Sequence, residues 1–336
     1  MRPRVAMVLA VRPRVAMVLA VVAVLLGSAM LVPAAYAQFS DDDTGGSGGG
    51  AQSVAAPEPT APPPPTLAAG PVSMNFSGEF FSWALMDRTT GTISGSKNLA
   101  STNSTESMIK AWIVADYLRQ LGDKEPSATL KKQASLAIRD SNDDAANAVH
   151  RAAGGSYKVY PNGQPNPVIK RAISICGLTD TKRGNVSGYE GYWSFTRMSP
   201  RDAVRLGDCI ANGKAAGPKW TKWVLDEMGK VRGSVKEQQL KSGGGKWGIV
   251  DGLPAEIKAQ GPVSIKNGWT PLNYDGNWHV NCLTVTEKWS LAVMLRYPQK
   301  SGLPYGAKVC AGVATQLVTP QPGAALKVPQ QPIGKL

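Results

Sequence analysis

The chain has 336 residues, 43% hydrophobic and 18% charged, and its 37 Lys and Arg outnumber 24 Asp and Glu for a formal charge of +13. That length holds one domain with a real core once terminal segments are set aside. The positive excess suits an anionic polymer or acidic lipid heads, and equally a soluble face with spare lysines. Lys and Arg are spread instead of clustered, which argues against a nucleic-acid partner.

The first 37 residues have the three parts of a secretory signal. Arg2, Arg4, Arg12 and Arg14 precede an apolar run from Val15 to Leu26, and a small-x-small site follows at Ala35-Tyr36-Ala37. The segment RPRVAMVLAV occurs at 2–11 and again at 12–21, a local duplication and not a structural repeat. Cleavage after Ala37, with export to the cell envelope or beyond, is the expectation. The rival is an uncleaved anchor, because Val15 to Ala37 is just long enough to span a bilayer. Residues 38–71 read as a disordered linker, DDDTGGSGGG being floppy and APEPTAPPPPT extended. The folded domain is expected over 72–319 and a flexible tail over 320–336.

Within that domain, Glu79–Met86 and Thr92–Ser94 flank the turn Asp87–Gly91 and predict a hairpin. From Ser107 to Leu121 the pattern is helical and apolar on nearly every side, which marks a buried helix. Helices are expected near 127–139, 143–153, 165–176, 200–212 and 217–229. Short runs rich in Val, Ile and aromatic residues then predict strands over Pro262–Trp269, Trp278–Thr286 and Trp289–Tyr297, before a last helix near 305–318. Both ends of the domain thus enter one antiparallel sheet, the middle forms a helical subdomain, and a cleft between them is the natural ligand site. The four cysteines, in an exported chain, predict two disulfides, and no CxxC pair supports a zinc site. Of three connectivities, Cys176–Cys209 with Cys282–Cys310 keeps each bridge within its own half of the fold.

Two Ser-x-x-Lys strings lie close together. Ser94-Gly-Ser-Lys97 falls in the hairpin, where residues three apart point to opposite faces, so that pair cannot meet. Ser107-Met-Ile-Lys110 opens the buried helix, where residues three apart share a face. There the helix start aims free N–H groups at the serine, and desolvation lowers the lysine toward a base useful at neutral pH. Taken alone, a capping serine with a snorkelling lysine explains the string better. Two further strings follow in order: Ser141-Asn142-Asp143 at the start of another helix, and Lys266-Asn267-Gly268-Trp269-Thr270 at the end of a strand.

The three strings, on those elements and in that order, resemble the motifs of the penicillin-recognising serine enzymes, namely class A β-lactamases, penicillin-binding proteins and D,D-peptidases. They are also similar to actinobacterial exported serine hydrolases with a KNGW third motif. The resemblance spans about 75–318. It implies a mixed α/β (α+β) fold of β-lactamase/transpeptidase type, with a five-stranded antiparallel sheet flanked by N- and C-terminal helices plus an all-helical subdomain. It also implies that Ser107 forms an acyl-enzyme, that Lys110 accepts its proton, that Ser141 passes a proton to the leaving group, and that Lys266 supplies positive charge. Asp143, Asn267, Gly268, Trp269 and Thr270 would line the substrate and oxyanion site, with the backbone N–H groups of Ser107 and Trp269 as donors. No cofactor or metal is implied. The implied partner is a cell-wall peptide or a β-lactam, with an anionic wall polymer as a further contact, and the chain is read as a monomer.

Departures from the pattern leave open a non-catalytic wall-binding or sensing module. Asp143 stands where the second motif has an amide, and an ionised carboxylate cannot donate. Asn267 replaces the Thr or Ser of the third motif. No Glu-x-x-Leu-Asn loop lies between Asn147 and Ser199; Glu190 is the nearest substitute, and a solvated loop carboxylate is its favoured reading. His150 and His279 are the only histidines, and neither sits in a motif for metal or Ser-His-Asp chemistry.

Overall fold

The computed structural model describes residues 63–239 and 244–320, all within the unit that begins at Thr60. The expected leader, the linker up to residue 62 and the tail beyond Pro320 lie outside the described residues. The linker was expected to run to residue 71, but strand β1 (Thr66–Leu67) already belongs to the fold. It pairs antiparallel with the last strand, β10 (Val318–Thr319), because Leu67 finds a buried place that the preceding prolines cannot.

The sheet is entered through β2 (Phe80–Asp87), which hairpins to β3 (Ile93–Gly95). Its inner order continues from β2 to β9 (Trp289–Pro298), then to β8 (Asn277–Val285), all antiparallel. The far edge is made of β6 (Ser264–Ile265) and β7 (Gly268–Leu272), both paired with β8. Ile265 faces Thr284 and Gly268 faces Asn281, so the register runs unbroken through Lys266, whose N–H donates to Leu283 O. Six strands are therefore five wide, as the sequence pattern implied.

Alternation assigns the two faces. Phe81, Trp83 and Leu85 of β2, with Leu291, Val293 and Leu295 of β9, pack under the C-terminal helix α9 (Gly302–Leu317). Phe80, Ala84, Ala292 and Met294 face the helical half. With both faces covered, these strands read as continuous apolar runs. An N-terminal helix was expected beside α9. Among the described residues that segment is instead extended: Gly70, Pro71 and Gly78 discourage a helix, and Phe76 packs on Phe81, Tyr297 and Tyr305.

The helical half is built around α1 (Lys110–Leu121), buried from Lys110 through Leu118. Around it stand α2 (Ala128–Arg139), α3 (Asp143–Ala152), α4 (Pro167–Cys176), α5 (Pro200–Ala211) and α6 (Pro218–Gly229), close to the expected spans. Ser127, Asn142, Asn166 and Ser199 cap four of them with side-chain oxygens. Two short helices, α7 (Val235–Gln239) and α8 (Ala255–Lys258), and the small ladder of β4 (Asn103–Ser104) with β5 (Arg197–Met198) were not legible in the pattern. Buried Asp116 ties α1 to α4 through Arg171. Disulfide Cys176–Cys209 joins α4 to α5, and Cys282–Cys310 joins β8 to α9, the pairing preferred from the sequence.

Candidate active site

The chain leaves β4 through a tight 3-10 turn, Glu106–Ile109, that runs directly into α1. Ser107 sits in that turn, half-buried, and lines a cavity of about 710 Å³ between the helical half and β7. Lys110, one turn later, is 0% exposed. Its ammonium donates to Ser141 O at 2.5 Å and to Asp143 Oδ1 at 2.6 Å, and lies 3.4 Å from Ser141 Oγ. Lys110 thus directs its three hydrogens to the second motif and not to Ser107. The Trp193 ring lies 5.2 Å from the same nitrogen.

Ser141 bridges α2 and α3 with φ of +54°, a left-handed conformation unusual for a residue with a side chain. The strain is held by Lys110 on its carbonyl and by Lys266 Nζ, which donates to Ser141 Oγ at 2.9 Å. Lys266 is also 0% exposed, so two amines converge on one hydroxyl in a dry setting. Burial lowers Lys110 below the ordinary lysine value, partly opposed by the Asp143 carboxylate. Lys266 is pushed well below it by burial and by the charge of Lys110.

β7 closes the site. A Cβ on Gly268 would lie 2.5 Å from Met108 N and 2.7 Å from Ser107 N, so only glycine lets this strand touch the serine's turn. Lys266, Gly268 and Thr270 share one face of the strand, and Thr270 lines the cavity. Asn267 points to the other face. It is 1% exposed, and its amide donates to Gly245 O and Trp247 O, so the substrate contact implied for it is replaced by a clamp on the 244–247 segment. Trp269 packs edge-on against Trp247 and also borders the cavity.

No protein-family model and no curated protein matches this sequence. Solved structures do match in shape. L2 complexed with relebactam superposes with a TM-score of 0.52 at 14% identity, over 70% of this chain and 88% of that one. An ancestral class A β-lactamase gives 0.51 at 15%, over 71% and 93%. PBP-A gives 0.50 at 14%, over 72% and 89%. The fold is that of the class A β-lactamases.

Within this β-lactamase fold, Ser107, Ser141 and Asp143 line one cavity, and the buried amines of Lys110 and Lys266 reach Ser141 from behind its wall, Lys110 also pairing with Asp143. Glu190 does not join them: it lies in the 182–196 loop, outside the cavity lining, while its neighbours Tyr192 and Trp193 are part of the wall. Ser94 and Lys97 lie in and after β3, away from the cavity.

Other wall residues were missed in the sequence. Asn147 accepts from Tyr157 Oη and from Trp193 Nε1 at 3.0 Å, and Tyr157 stacks on Tyr192 with centroids 4.5 Å apart. Glu106 was also missed. It precedes Ser107 directly, has φ of +48° and is 2% exposed. Burial raises its carboxyl to about 7. Its Oε1 lies 2.7 Å from Ser104 Oγ, which lies 2.6 Å from His279 Nδ1, whose Nε2 lies 2.8 Å from Asp275 Oδ2. This serine, histidine and aspartate are aligned, yet Ser104 is buried and outside the cavity lining, so it has no access to a substrate. The signal for Glu106 was present, since a carboxylate at the mouth of an apolar helix needs a reason; His279 and Asp275, reached through Ser104 from far along the sequence, carried no local signal.

Proposed function

We propose that the protein is an exported serine acyl hydrolase that forms an acyl-enzyme on Ser107 with cell-wall peptides or the β-lactams that mimic them. The observation that carries this reading is Ser141 Oγ held between two buried amines, beside a cavity that Ser107 lines. In the reaction, Ser107 Oγ attacks the carbonyl carbon, and its proton passes to Lys110 once that amine is neutral. Burial favours the neutral form. Oxygen charge develops near the Ser107 and Trp269 backbone N–H groups, and losing one such donor typically costs about 100- to 1,000-fold. The proton reaches the leaving nitrogen through Ser141, as the C–N bond breaks. The leader sequence and the two disulfides support export.

A second reading is a wall-binding or sensing module without turnover. It is favoured by the Lys110–Asp143 ion pair, which stabilises the ammonium, and by the withdrawal of Asn267 from the cavity. Incubation of the purified protein with a fluorescent penicillin, followed by peptide mass spectrometry, separates the two. A covalent adduct on Ser107 is expected; saturable binding without any adduct would leave only the module.

A further inference from the structure

We propose that the tyrosines around the mouth of the cavity form a binding platform for a neutral sugar chain, so that the ligand of this protein is a glycan-linked peptide and not a bare one. The platform stands without the acyl-transfer reading; the link from sugar to peptide rests on it. Segments far apart in sequence supply the rings. Tyr157 comes from the loop between α3 and α4, Tyr189, Tyr192 and Phe195 from the 182–196 loop, and Tyr274 from the turn between β7 and β8.

The rings form one continuous array. Tyr157 stacks on Tyr192 at 4.5 Å, Tyr192 lies 5.5 Å from Tyr189, Tyr189 stacks on Phe195 at 4.8 Å, and Phe195 lies 6.4 Å from Tyr274. Tyr157, Tyr192 and Phe195 line the cavity, so the array leads from its wall outward. Tyr189, Tyr192 and Tyr274 are 47%, 40% and 52% exposed, and with Val159 they are the large apolar side chains that stand exposed among the described residues. Scattered singly they would need no explanation; gathered at one mouth they mark a binding surface. The inner rings are already fixed. Asn147 Oδ1 accepts from Tyr157 Oη and from Trp193 Nε1, which also lies 3.2 Å from Tyr157 Oη. A surface ordered in advance loses little freedom on binding.

The chemistry of the array selects its occupant. Each exposed ring is an apolar face edged by a hydroxyl, and a pyranose offers the complement, a C–H face ringed by hydroxyls. A lipid tail would be better served by Leu, Ile or Phe, and none of these is exposed beside the tyrosines. An anionic polymer would call for cations, yet the charged side chains lining the cavity are Glu106, Asp140 and Asp143, with no Lys or Arg. Ser107 and Tyr192 border the same 710 Å³ cavity, within the usual size of a ligand site. One molecule can therefore rest a sugar on the rings and present a peptide carbonyl to the serine.

The test is a titration of the purified full chain with the β-1,4-linked tetramer of N-acetylglucosamine, read by saturation-transfer NMR on the sugar. Saturable binding with Kd of about 1 mM is expected, the weak range of a ligand held mainly by stacking, with transfer strongest to the axial ring protons of one face. Tyr189→Ala and Tyr274→Ala, on separate segments and at exposed positions, should each weaken binding about tenfold, while Tyr189→Phe stays within about threefold of wild type. No saturable binding, or binding untouched by both alanine variants, would overturn the proposal. So would binding that high salt abolishes, since charge and not stacking would then hold the ligand. Phosphatidylglycerol vesicles that retain the protein through Tyr189 and Tyr274, with no binding of the tetramer, would give the face to a membrane and overturn it too. Sugar binding without any penicillin adduct on Ser107 would uphold the platform and defeat the acyl-transfer reading; an adduct without sugar binding would do the reverse.

Discussion

Lys266 Nζ donates to Ser141 Oγ across 2.9 Å, and that single contact joins the sheet edge to the helical half at the base of the cavity. Neither amine has bulk water to solvate it, and in the proposed acyl transfer the hydroxyl between them would carry the proton. Ser141→Ala should therefore leave the fold intact and slow Ser107 labelling by about 100- to 10,000-fold, the usual scale for a proton-transfer group. Burst amplitude and rate with a chromogenic β-lactam would measure it. A rate within a factor of a few of wild type would remove Ser141 from the proton path.

Asp143 opposes the effect of burial on Lys110. Its Oδ1 lies 2.6 Å from the buried ammonium, while its own side chain is 75% exposed. Both the charge and the hydrogen bond of Asp143 raise Lys110, against the larger lowering by burial. Asp143→Asn removes the raising part, so the pH at which Lys110 becomes neutral moves down. Labelling at neutral pH should become faster, and the alkaline rise in rate should shift toward acid. A slower variant with an unshifted profile would mean that Asp143 contributes to substrate binding instead.

What the sequence disclosed and what it withheld divide along range. α1 was legible because an apolar pattern on all sides of a helix has one meaning, and the approach of Lys110 and Lys266 to Ser141 was legible because their strings fall on the expected elements. The strand carrying Lys266 was expected as one run over 262–269, and in the structure it is split around Lys266–Asn267 and extends to Leu272. The role of Asn267 was misread because a motif specifies residue order and not strand face; one residue's step along β7 turned its amide away from the cavity. Glu106, Ser104, His279 and Asp275 form a chain whose members are joined across β4, β7 and β8, and no local periodicity encodes that meeting. Asp202 is similar: it gathers the Thr179, Asp180 and Thr181 N–H groups in a buried turn, a role visible only after folding.

Gly268→Ala tests the contact between β7 and the serine's turn. The added methyl would meet backbone atoms at 2.5 to 2.7 Å, and backbone cannot swing aside as a side chain would. The strand and the turn must separate, taking the Trp269 and Ser107 N–H groups out of register. Labelling should fall by about 100-fold or more, with thermal unfolding lowered only moderately. Labelling at the wild-type rate would show that the two elements move independently.

The Cys282–Cys310 bridge spans 28 residues and fixes α9 to the centre of the sheet. Closing a loop of that length constrains the unfolded chain by about 3.5 kcal/mol in the entropy model. The paired substitution Cys282→Ser and Cys310→Ser should therefore destabilise by about that amount, with added cost from burying two hydroxyls in an apolar layer. Urea unfolding of oxidised wild type against the double variant would measure the loss. A difference under about 1 kcal/mol would mean that α9 is held by packing alone.

Glu106 also links stability to pH, and the sign is fixed by the direction of its shift. Its folded value of about 7 lies above the ordinary carboxyl value of 4.5, so the folded protein binds this proton more tightly than the unfolded chain does. The resulting stabilisation is fully present below 4.5 and is lost as pH rises through about 7. Glu106→Gln has no such proton to lose. The stability of the variant relative to wild type should therefore increase by about 3 kcal/mol between pH 4.5 and pH 8, whatever the other groups contribute to both proteins. Paired denaturant titrations at several pH values would give the difference directly, with common titrations cancelling. A constant offset between the two proteins over that range would mean that Glu106 keeps an ordinary carboxylate value when folded, and the buried proton would have to be abandoned.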